Sequence, residues 1–200
     1  YTDTKKTWNV SDQVTIGWKN VLPLPPSNTS ETTIKELQYL SKLTASVNSD
    51  QRGLVKLVDK EPLGLFSPIL KKNNLAFDQS QFKKLWSVAR PIALSLKWKY
   101  NRPRPSQLCG CFGLTINVIQ SGTHNTPAYP SGHTTYAALA AYLLSAMHPT
   151  YSHLFFRCAK MAGYARCIQG VHYPSDNAAA LWEDVKYKMF PELFPSQHIG

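Results

Sequence analysis

The chain has 200 residues, of which 43% are hydrophobic and 17% charged, a globular composition that excludes a disordered chain. Lysine and arginine total 22 against 12 Asp and Glu, which gives a formal net charge of +10. The basic residues are scattered, so this surplus favours small anionic substrates over nucleic acid. The longest apolar run, Ala137 to Met147, is too short to span a bilayer, which needs roughly 20 apolar residues. We therefore expect a soluble protein without a transmembrane segment.

The four cysteines leave the compartment open. Cys109, Cys111, Cys158 and Cys167 lack the spacing of a zinc or redox motif, and they could form two disulfides or none. The chain starts at Tyr1 and not at Met, so a leader could have been removed, and a periplasmic or secreted location is slightly favoured. The sequence is compatible with an oligomer.

The first half of the chain predicts an extended arm followed by helices. We expect the arm over residues 1–29 and one helical domain over 30–200. Ser30 is a candidate N-cap before apolar residues at helical spacing, namely Ile34, Leu37, Leu40 and Leu43. A second short helix is expected from Gln51 to Lys60.

A third helix should start at a capping box formed by Asp78 and Gln81. Its apolar stripe comprises Phe82, Leu85, Trp86, Ala89, Ala93 and Leu96. Pro91 should kink or split this helix, because proline lacks the backbone N–H that the helix needs.

The second half begins with a loop from about Tyr100 to Tyr129, rich in Pro, Gly and Cys. Helices are expected over 133–147, 152–168 and about 176–189. Strand signals are few. The sequence therefore predicts an all-α fold, a single-domain helical bundle.

Three segments carry residues that suit one anion. The first is KWKYNRPRP, which contains Lys97 and Arg104, and the second is PSGH, from Pro130 to His133. The third runs from Arg166 to Asp176 and contains His172. Taken singly, each segment is more often a solvated basic face, a helix cap or a satisfied hydrogen bond.

Taken together, the segments fit a phosphate-like ligand. Ser131 and Gly132 come before a helix, where backbone N–H groups and the helix dipole favour an anion. Lysine and arginine side chains supply positive charge, and each arginine can hold two oxygens. Asp176 can accept the proton of one His172 nitrogen and leave the other nitrogen nucleophilic. His133 could then protonate a leaving group.

These three motifs, in this order, resemble those of the type 2 phosphatidic acid phosphatase superfamily, which includes class A acid phosphatases and vanadium haloperoxidases. The chain has Lys-x6-Arg-Pro at 97–105, Pro-Ser-Gly-His at 130–133 and Arg-x5-His-x3-Asp at 166–176. Ala165 departs from the pattern, which has serine before the arginine. The resemblance implies an α-helical bundle with the active site at one end.

The resemblance also implies a role for each motif residue. Lys97, Arg104 and Arg166 would hold the phosphate oxygens, with Ser131 and Gly132. His172 would attack phosphorus and become phosphohistidine, and Asp176 would orient it. His133 would protonate the leaving alcohol and later activate water. No metal or other cofactor is implied, because cationic side chains stabilise the charge.

Three functions remain open at this point. We favour a soluble acid phosphatase acting on small-molecule phosphate esters, because the chain has the length of the compact acid phosphatases. The alternative is a vanadate-dependent haloperoxidase with His172 as the vanadium ligand, since PAYPSGH resembles that branch. The third is a non-catalytic anion-binding or structural protein. His124, in the expected loop, could reach the pocket rim, but a surface histidine is the favoured interpretation.

Overall fold

The computed structural model describes residues 22–181. Those residues form helices and connecting segments without any strand, which confirms the all-α single-domain prediction. Eight α-helices are labelled in chain order: α1 Glu31–Ala45, α2 Ser49–Lys60, α3 Ser67–Lys72, α4 Gln79–Tyr100, α5 Pro105–Leu108, α6 Gly132–Met147, α7 Ser152–Ile168 and α8 Pro174–Ala180. Short 3₁₀ turns cover Pro62–Leu65, Cys109–Phe112 and Pro149–Tyr151.

The predicted helix starts hold in the first half of the chain. The Ser30 side chain accepts a hydrogen bond from the Thr33 amide, so Ser30 caps α1 as expected. Asp78 accepts from the Gln81 amide and caps α4. The second bond of a full capping box, from the Asp78 amide to the Gln81 side chain, is not formed. The α2 helix starts at Ser49, two residues before the predicted start, because Asn48 makes a capping box.

The structure departs from one local prediction and answers another in part. Pro91 does not split α4, which is one helix from Gln79 to Tyr100, and a kink at Pro91 stays a prediction. Proline removes one backbone hydrogen bond, but buried apolar side chains on both sides of it, such as Leu85 and Leu96, keep the helix packed. The expected loop at 100–129 contains helix α5, which begins with a proline at its first position, where proline is well tolerated.

Helix α6 is the centre of the bundle. Its alanine- and leucine-rich sequence is buried on nearly all sides, as expected for a helix without a polar face. It packs against α4, α7 and α8, and the core is completed by Phe66, Phe82 and Phe155. Each fully buried leucine or phenylalanine contributes about 1.5–3 kcal/mol.

Close packing holds the helix ends that surround the site. A Cβ atom on Gly163 would lie 3.0 Å from Asn177 and 3.3 Å from the Thr134 hydroxyl, so glycine allows α6, α7 and α8 to approach each other. Thr134 is also hydrogen-bonded to the Asn177 side chain at 2.8 Å. Gly170, with a φ of 77°, ends α7 and turns the chain back toward His172.

The remaining expectations fall partly outside the described residues. Of the predicted arm, residues 22–29 carry no helix, and Tyr129 donates a hydrogen bond to the Pro23 carbonyl at 2.6 Å. Residues 1–21 and the end of the predicted helix at 176–189 lie outside the described range. The domain boundary at residue 30 stays a prediction.

All four cysteines are free thiols. Within residues 22–181, no helix combines the length and the apolarity that crossing a bilayer would require.

Candidate active site

The His172–Asp176 pair lies at the start of α8 and is fully enclosed. His172 Nδ1 is 3.1 Å from Asp176 Oδ2, and the two side chains are 2% and 0% exposed. The same carboxylate oxygen accepts the Tyr173 amide at 2.9 Å, so the first turn of α8 fixes its position. Pro174 is the first residue of the helix, so His172 and Asp176, which are four residues apart, lie on either side of its start.

The second neighbour of His172 identifies which of its ring nitrogens carries the proton. Arg104 Nη1 lies 2.9 Å from His172 Nε2. A guanidinium group can only donate, so Nε2 carries a lone pair and Nδ1 carries the proton, which is donated to Asp176. Burial, followed by the charges of Arg104 and Lys97, lowers the pKa of His172 well below its usual value. The imidazole is therefore neutral, with its lone pair on Nε2.

Arg102 is a site residue that sequence reasoning missed. It is 2% exposed and donates to Asp176 Oδ1 at 2.7 Å and to Glu36 Oε2 at 3.1 Å. Its guanidinium also stacks on the Tyr173 ring at 3.8 Å. Glu36 comes from α1 and in turn accepts the Ser175 amide at 2.6 Å. A buried ionic chain thus runs from Glu36 through Arg102 and Asp176 to His172.

Lys97 and Arg104 approach the site from the end of α4. The helix ends at Tyr100, and its C-cap residue Asn101 has a left-handed conformation. After this turn, the two side chains contact neighbouring backbone carbonyls. Lys97 Nζ donates to the Pro127 carbonyl at 2.8 Å, and Arg104 Nε donates to the Thr126 carbonyl at 2.8 Å. Burial and the Arg104 charge lower the pKa of Lys97 well below its usual value.

The PSGH motif begins the central helix as predicted. Ser131 occupies the cap position of α6, and its amide donates to the Asp176 carbonyl at 3.1 Å. Its hydroxyl lies 2.8 Å from the Thr134 hydroxyl. A Cβ atom on Gly132 would lie 3.8 Å from Lys97 Cε. The helix start is therefore in contact with both the lysine and the His172–Asp176 pair.

His133 is half-buried on the other side of the site. Its Nε2 atom is 3.4 Å from the Asp59 carbonyl oxygen. Burial, followed by the Arg166 charge, lowers the pKa of His133 to about 4. A bound anion would raise this value, because negative charge favours the imidazolium form.

Arg166 is the third predicted cation, and it reaches the site from the last turn of α7. Its Nη1 donates to Asp59 Oδ1 at 2.7 Å, and its Nη2 donates to the Thr123 hydroxyl at 3.1 Å. Its Nε is buried without a hydrogen-bond partner among the described residues. Neither Asp59 nor Thr123 was identified from the sequence.

Ala165, which departs from the motif pattern, is fully buried in the main core, where an apolar side chain packs better than a serine hydroxyl.

His124 does not fit the surface interpretation. It is half-buried, and burial followed by the charges of Arg104 and Arg166 lowers its pKa. Its Nδ1 lies 3.4 Å from the Ser121 hydroxyl. The loop at 121–124 therefore borders the site.

A surface cleft of about 420 Å³ lies beside the end of α4. It is lined by Trp98, Asn101, Arg102, Pro103, Gln107 and Pro127. None of the residues predicted to bind phosphate lines it, so we do not assign the substrate to it.

The structure brings the predicted residues of all three motifs together, at helix ends on one side of the bundle. Three basic side chains and two imidazoles therefore lie around one helix start in an all-helical protein, an arrangement that suits a small oxyanion. Residues 81–182 match the family model of the PAP2 superfamily, and because this segment is just over half of the chain, the chain belongs to that superfamily.

Two curated relatives are both named lipid A 1-phosphatase, one from Rhizobium johnstonii and one from Rhizobium etli. Each is 32% identical over 90 residues, which is 45% of this chain. The matched stretch covers 36% and 38% of the two relatives, so the chain matches little more than a third of their length.

A solved structure supports the fold. The chain aligns with the crystal structure of a transmembrane PAP2 type phosphatidylglycerolphosphate phosphatase from Bacillus subtilis. The TM-score is 0.52 over 90% of both chains. The sequence identity is 15%, so this likeness concerns the fold alone.

Proposed function

We propose that the protein hydrolyses phosphomonoesters without a metal ion, through a phosphohistidine formed on His172. The observation that carries this proposal is the setting of His172. Its Nδ1 faces Asp176, and its Nε2 faces a buried arginine. Membership of a superfamily that contains phosphatases supports phosphoester hydrolysis in general.

In the first step, His172 Nε2 attacks phosphorus and a P–N bond forms as the ester P–O bond breaks. The electron pair of that bond leaves with the alcohol oxygen, which takes a proton from His133. Asp176 stabilises the positive charge that develops on the His172 ring, because it already accepts the Nδ1 proton. The buried Arg102 keeps Asp176 in place at 2.7 Å.

In the second step, water attacks the phosphohistidine and the P–N bond breaks. His133, which has lost its proton to the alcohol, takes a proton from the water. Inorganic phosphate leaves, and His172 is again neutral with its lone pair on Nε2, where Arg104 donates to it.

The transition-state charge is held by Lys97, Arg104 and Arg166. These groups are almost completely buried, so their charges act in a water-poor site where they are more effective than in solution. Arg166 Nε, which lacks a partner among the described residues, is a donor available to a phosphate oxygen. Within residues 22–181, no three His, Cys, Asp or Glu side chains cluster as metal ligands.

Paired assays on one preparation test the proposal. We expect hydrolysis of p-nitrophenyl phosphate that persists in EDTA and is inhibited by low concentrations of vanadate, which resembles the five-coordinate transition state. The substrate panel should include a short-chain phosphatidic acid, because the curated relatives are named for a lipid substrate. Inactivation by EDTA that a divalent metal reverses would contradict the metal-free mechanism.

The second assay measures bromide oxidation with vanadate and hydrogen peroxide. Halide oxidation faster than phosphate release would instead support the haloperoxidase alternative, in which vanadate binds at His172. Absence of both activities, with vanadate still bound, would support a non-catalytic anion-binding protein.

A further inference from the structure

Asp59 is a carboxylate where an anion site would not be expected to have one. It lies at the end of α2, outside the segment 81–182 that matches the family model. A negative charge near a phosphate site opposes phosphate binding by direct repulsion. Asp59 therefore has a role other than attracting the anion.

The contacts of Asp59 supply that reason. Its Oδ1 atom accepts from Arg166 Nη1 at 2.7 Å and from the Thr123 hydroxyl at 2.5 Å. Thr123 also accepts from Arg166 Nη2 at 3.1 Å, which closes a three-membered ring of hydrogen bonds. Although burial opposes it, the bonds from Thr123 and Arg166 lower the pKa of Asp59, so the carboxylate is ionised.

This ring engages the two terminal nitrogens of the Arg166 guanidinium and leaves its Nε–H available to a ligand. Nη1 and Nη2 are held by Asp59 and Thr123, while the buried Nε has no partner among the described residues. Arginine offers five donors in a fixed plane, so fixing two nitrogens also fixes the direction of the third. The orientation of the Nε–H toward an anion therefore depends on the ring.

The same residue also reaches the second histidine. The Asp59 carbonyl oxygen is 3.4 Å from His133 Nε2. Ser121 adds a further hydrogen bond to Asp59 Oδ1 at 3.1 Å, and Gln169 donates to the Ser121 hydroxyl at 3.1 Å. The end of α2 thus connects Arg166, His133 and the loop at 121–124.

We propose that Asp59 is a positioning residue which, with Thr123, orients the Arg166 guanidinium toward the phosphoryl group. This inference rests on the proposed function. Asp59 does not touch the substrate, and its effect is transmitted through Arg166.

Asp59→Asn tests the inference against Asp50→Asn, an exposed aspartate on the same helix. Asparagine keeps the size of the side chain but loses its charge. We expect kcat/KM to fall by about 10- to 100-fold, the scale of a lost hydrogen bond to a charged group, mainly through kcat. The vanadate inhibition constant should rise by a similar factor, because vanadate resembles the transition state.

The vanadate constant separates positioning from a merely structural role. A loss of folded protein lowers the apparent kcat but leaves the inhibition constant of the remaining folded enzyme unchanged. An inhibition constant for Asp59→Asn equal to that of Asp50→Asn would therefore overturn the inference.

Thr123 provides a second test if Asp59→Asn does not fold. Thr123 is exposed, so substitutions there disturb little packing. Thr123→Val removes the hydroxyl and should raise the vanadate constant about 3- to 10-fold, while Thr123→Ser keeps the hydroxyl and should stay near wild type. Equal constants for the two variants would contradict the hydrogen-bonded ring.

The wild-type control separates this inference from the proposed function. A wild-type protein that neither hydrolyses p-nitrophenyl phosphate nor binds vanadate would overturn both. An active, vanadate-sensitive wild type with unaffected Asp59 and Thr123 variants would overturn the positioning role alone.

Discussion

The two histidines of the site have different surroundings. His172 is 2% exposed and bonded on both ring nitrogens, to Asp176 and to Arg104. His133 is half-buried, and its Nε2 makes a long hydrogen bond of 3.4 Å with a backbone carbonyl. One imidazole is held rigidly, whereas the other is held loosely and is closer to solvent.

This difference matches the tasks of a nucleophile and of a general acid. A nucleophile must face phosphorus in one orientation and stay unprotonated, which burial among cations ensures. A general acid must exchange protons with solvent and follow the charge of the bound substrate, which partial exposure permits. The chemical roles that the motifs suggest thus correspond to a physical asymmetry in the structure.

The strongest test of this comparison is removal of the rigid histidine. We expect His172→Ala to lower phosphatase activity by a factor on the order of 10⁴ or more, because the proposed covalent intermediate forms on His172 Nε2. Steady-state hydrolysis of p-nitrophenyl phosphate measures the effect, and circular dichroism checks the fold. Hydrolysis near the wild-type rate would exclude His172 as the nucleophile.

The next test removes the support behind the rigid histidine. Arg102→Ala leaves Asp176 and Glu36 buried without their cation, so the free energy of unfolding should fall by about 3–5 kcal/mol. Urea denaturation measures the change. The exposed Arg52→Ala on α2 is the matched control and should change it by less than about 0.5 kcal/mol. A similar small change for Arg102→Ala would show that the buried chain does not stabilise the fold.

The loosely held histidine should show a dependence on the leaving group. His133→Gln should slow hydrolysis of an alkyl phosphate by about 10²- to 10³-fold, because a poor leaving group needs protonation. Hydrolysis of p-nitrophenyl phosphate should be slowed much less, since the nitrophenolate leaves without a proton. The ratio of the two rates is the measurement, and an equal loss for both substrates would contradict the acid role.

The asymmetry also explains which parts of the site could be predicted from the sequence. His172 and Asp176 are four residues apart, and Ser131 and Gly132 begin a helix, so local spacing indicates their relation. Arg102 and Glu36 are 66 residues apart, and Arg166 and Asp59 are 107 residues apart. The first pairing depends on how α1 packs near the segment that follows α4, and the second on how α2 packs against α7, and neither arrangement can be read from a local sequence pattern.

The fold shows the same limit. The apolar patterns in α1, α4 and α6 predicted those helices, because burial follows from hydrophobic periodicity and composition. The predicted split at Pro91 does not occur, because tertiary packing stabilises α4 on both sides of a residue that breaks isolated helices. Helix α5 lies in a segment whose Pro, Gly and Cys content indicated a loop, and four residues are too few for a periodic signal.

The smallest expected effect is on the pH dependence of stability. The pKa of His133 in the folded protein is about 4, below the value near 6.5 of an unfolded histidine, and that of His172 is lowered in the same direction. Between about pH 6.5 and pH 4, the unfolded chain therefore binds more protons at these residues than the folded protein does. The contribution of these two histidines to stability consequently rises with pH through this window and falls as the pH is lowered.

Thermal unfolding at several pH values tests this linkage in the absence of phosphate. The wild-type Tm should fall as the pH is lowered from 6.5 to 4, and the fall should be smaller in His133→Gln, which lacks one of the two shifted groups. His153→Gln, an exposed histidine on α7, controls for the loss of one histidine and should keep the wild-type slope. If His133→Gln and His153→Gln have the same slope, His133 does not resist protonation in the free protein. The loosely held imidazole would then be charged before the substrate arrives, and the contrast between the two histidines would lie in their mobility and not in their charge.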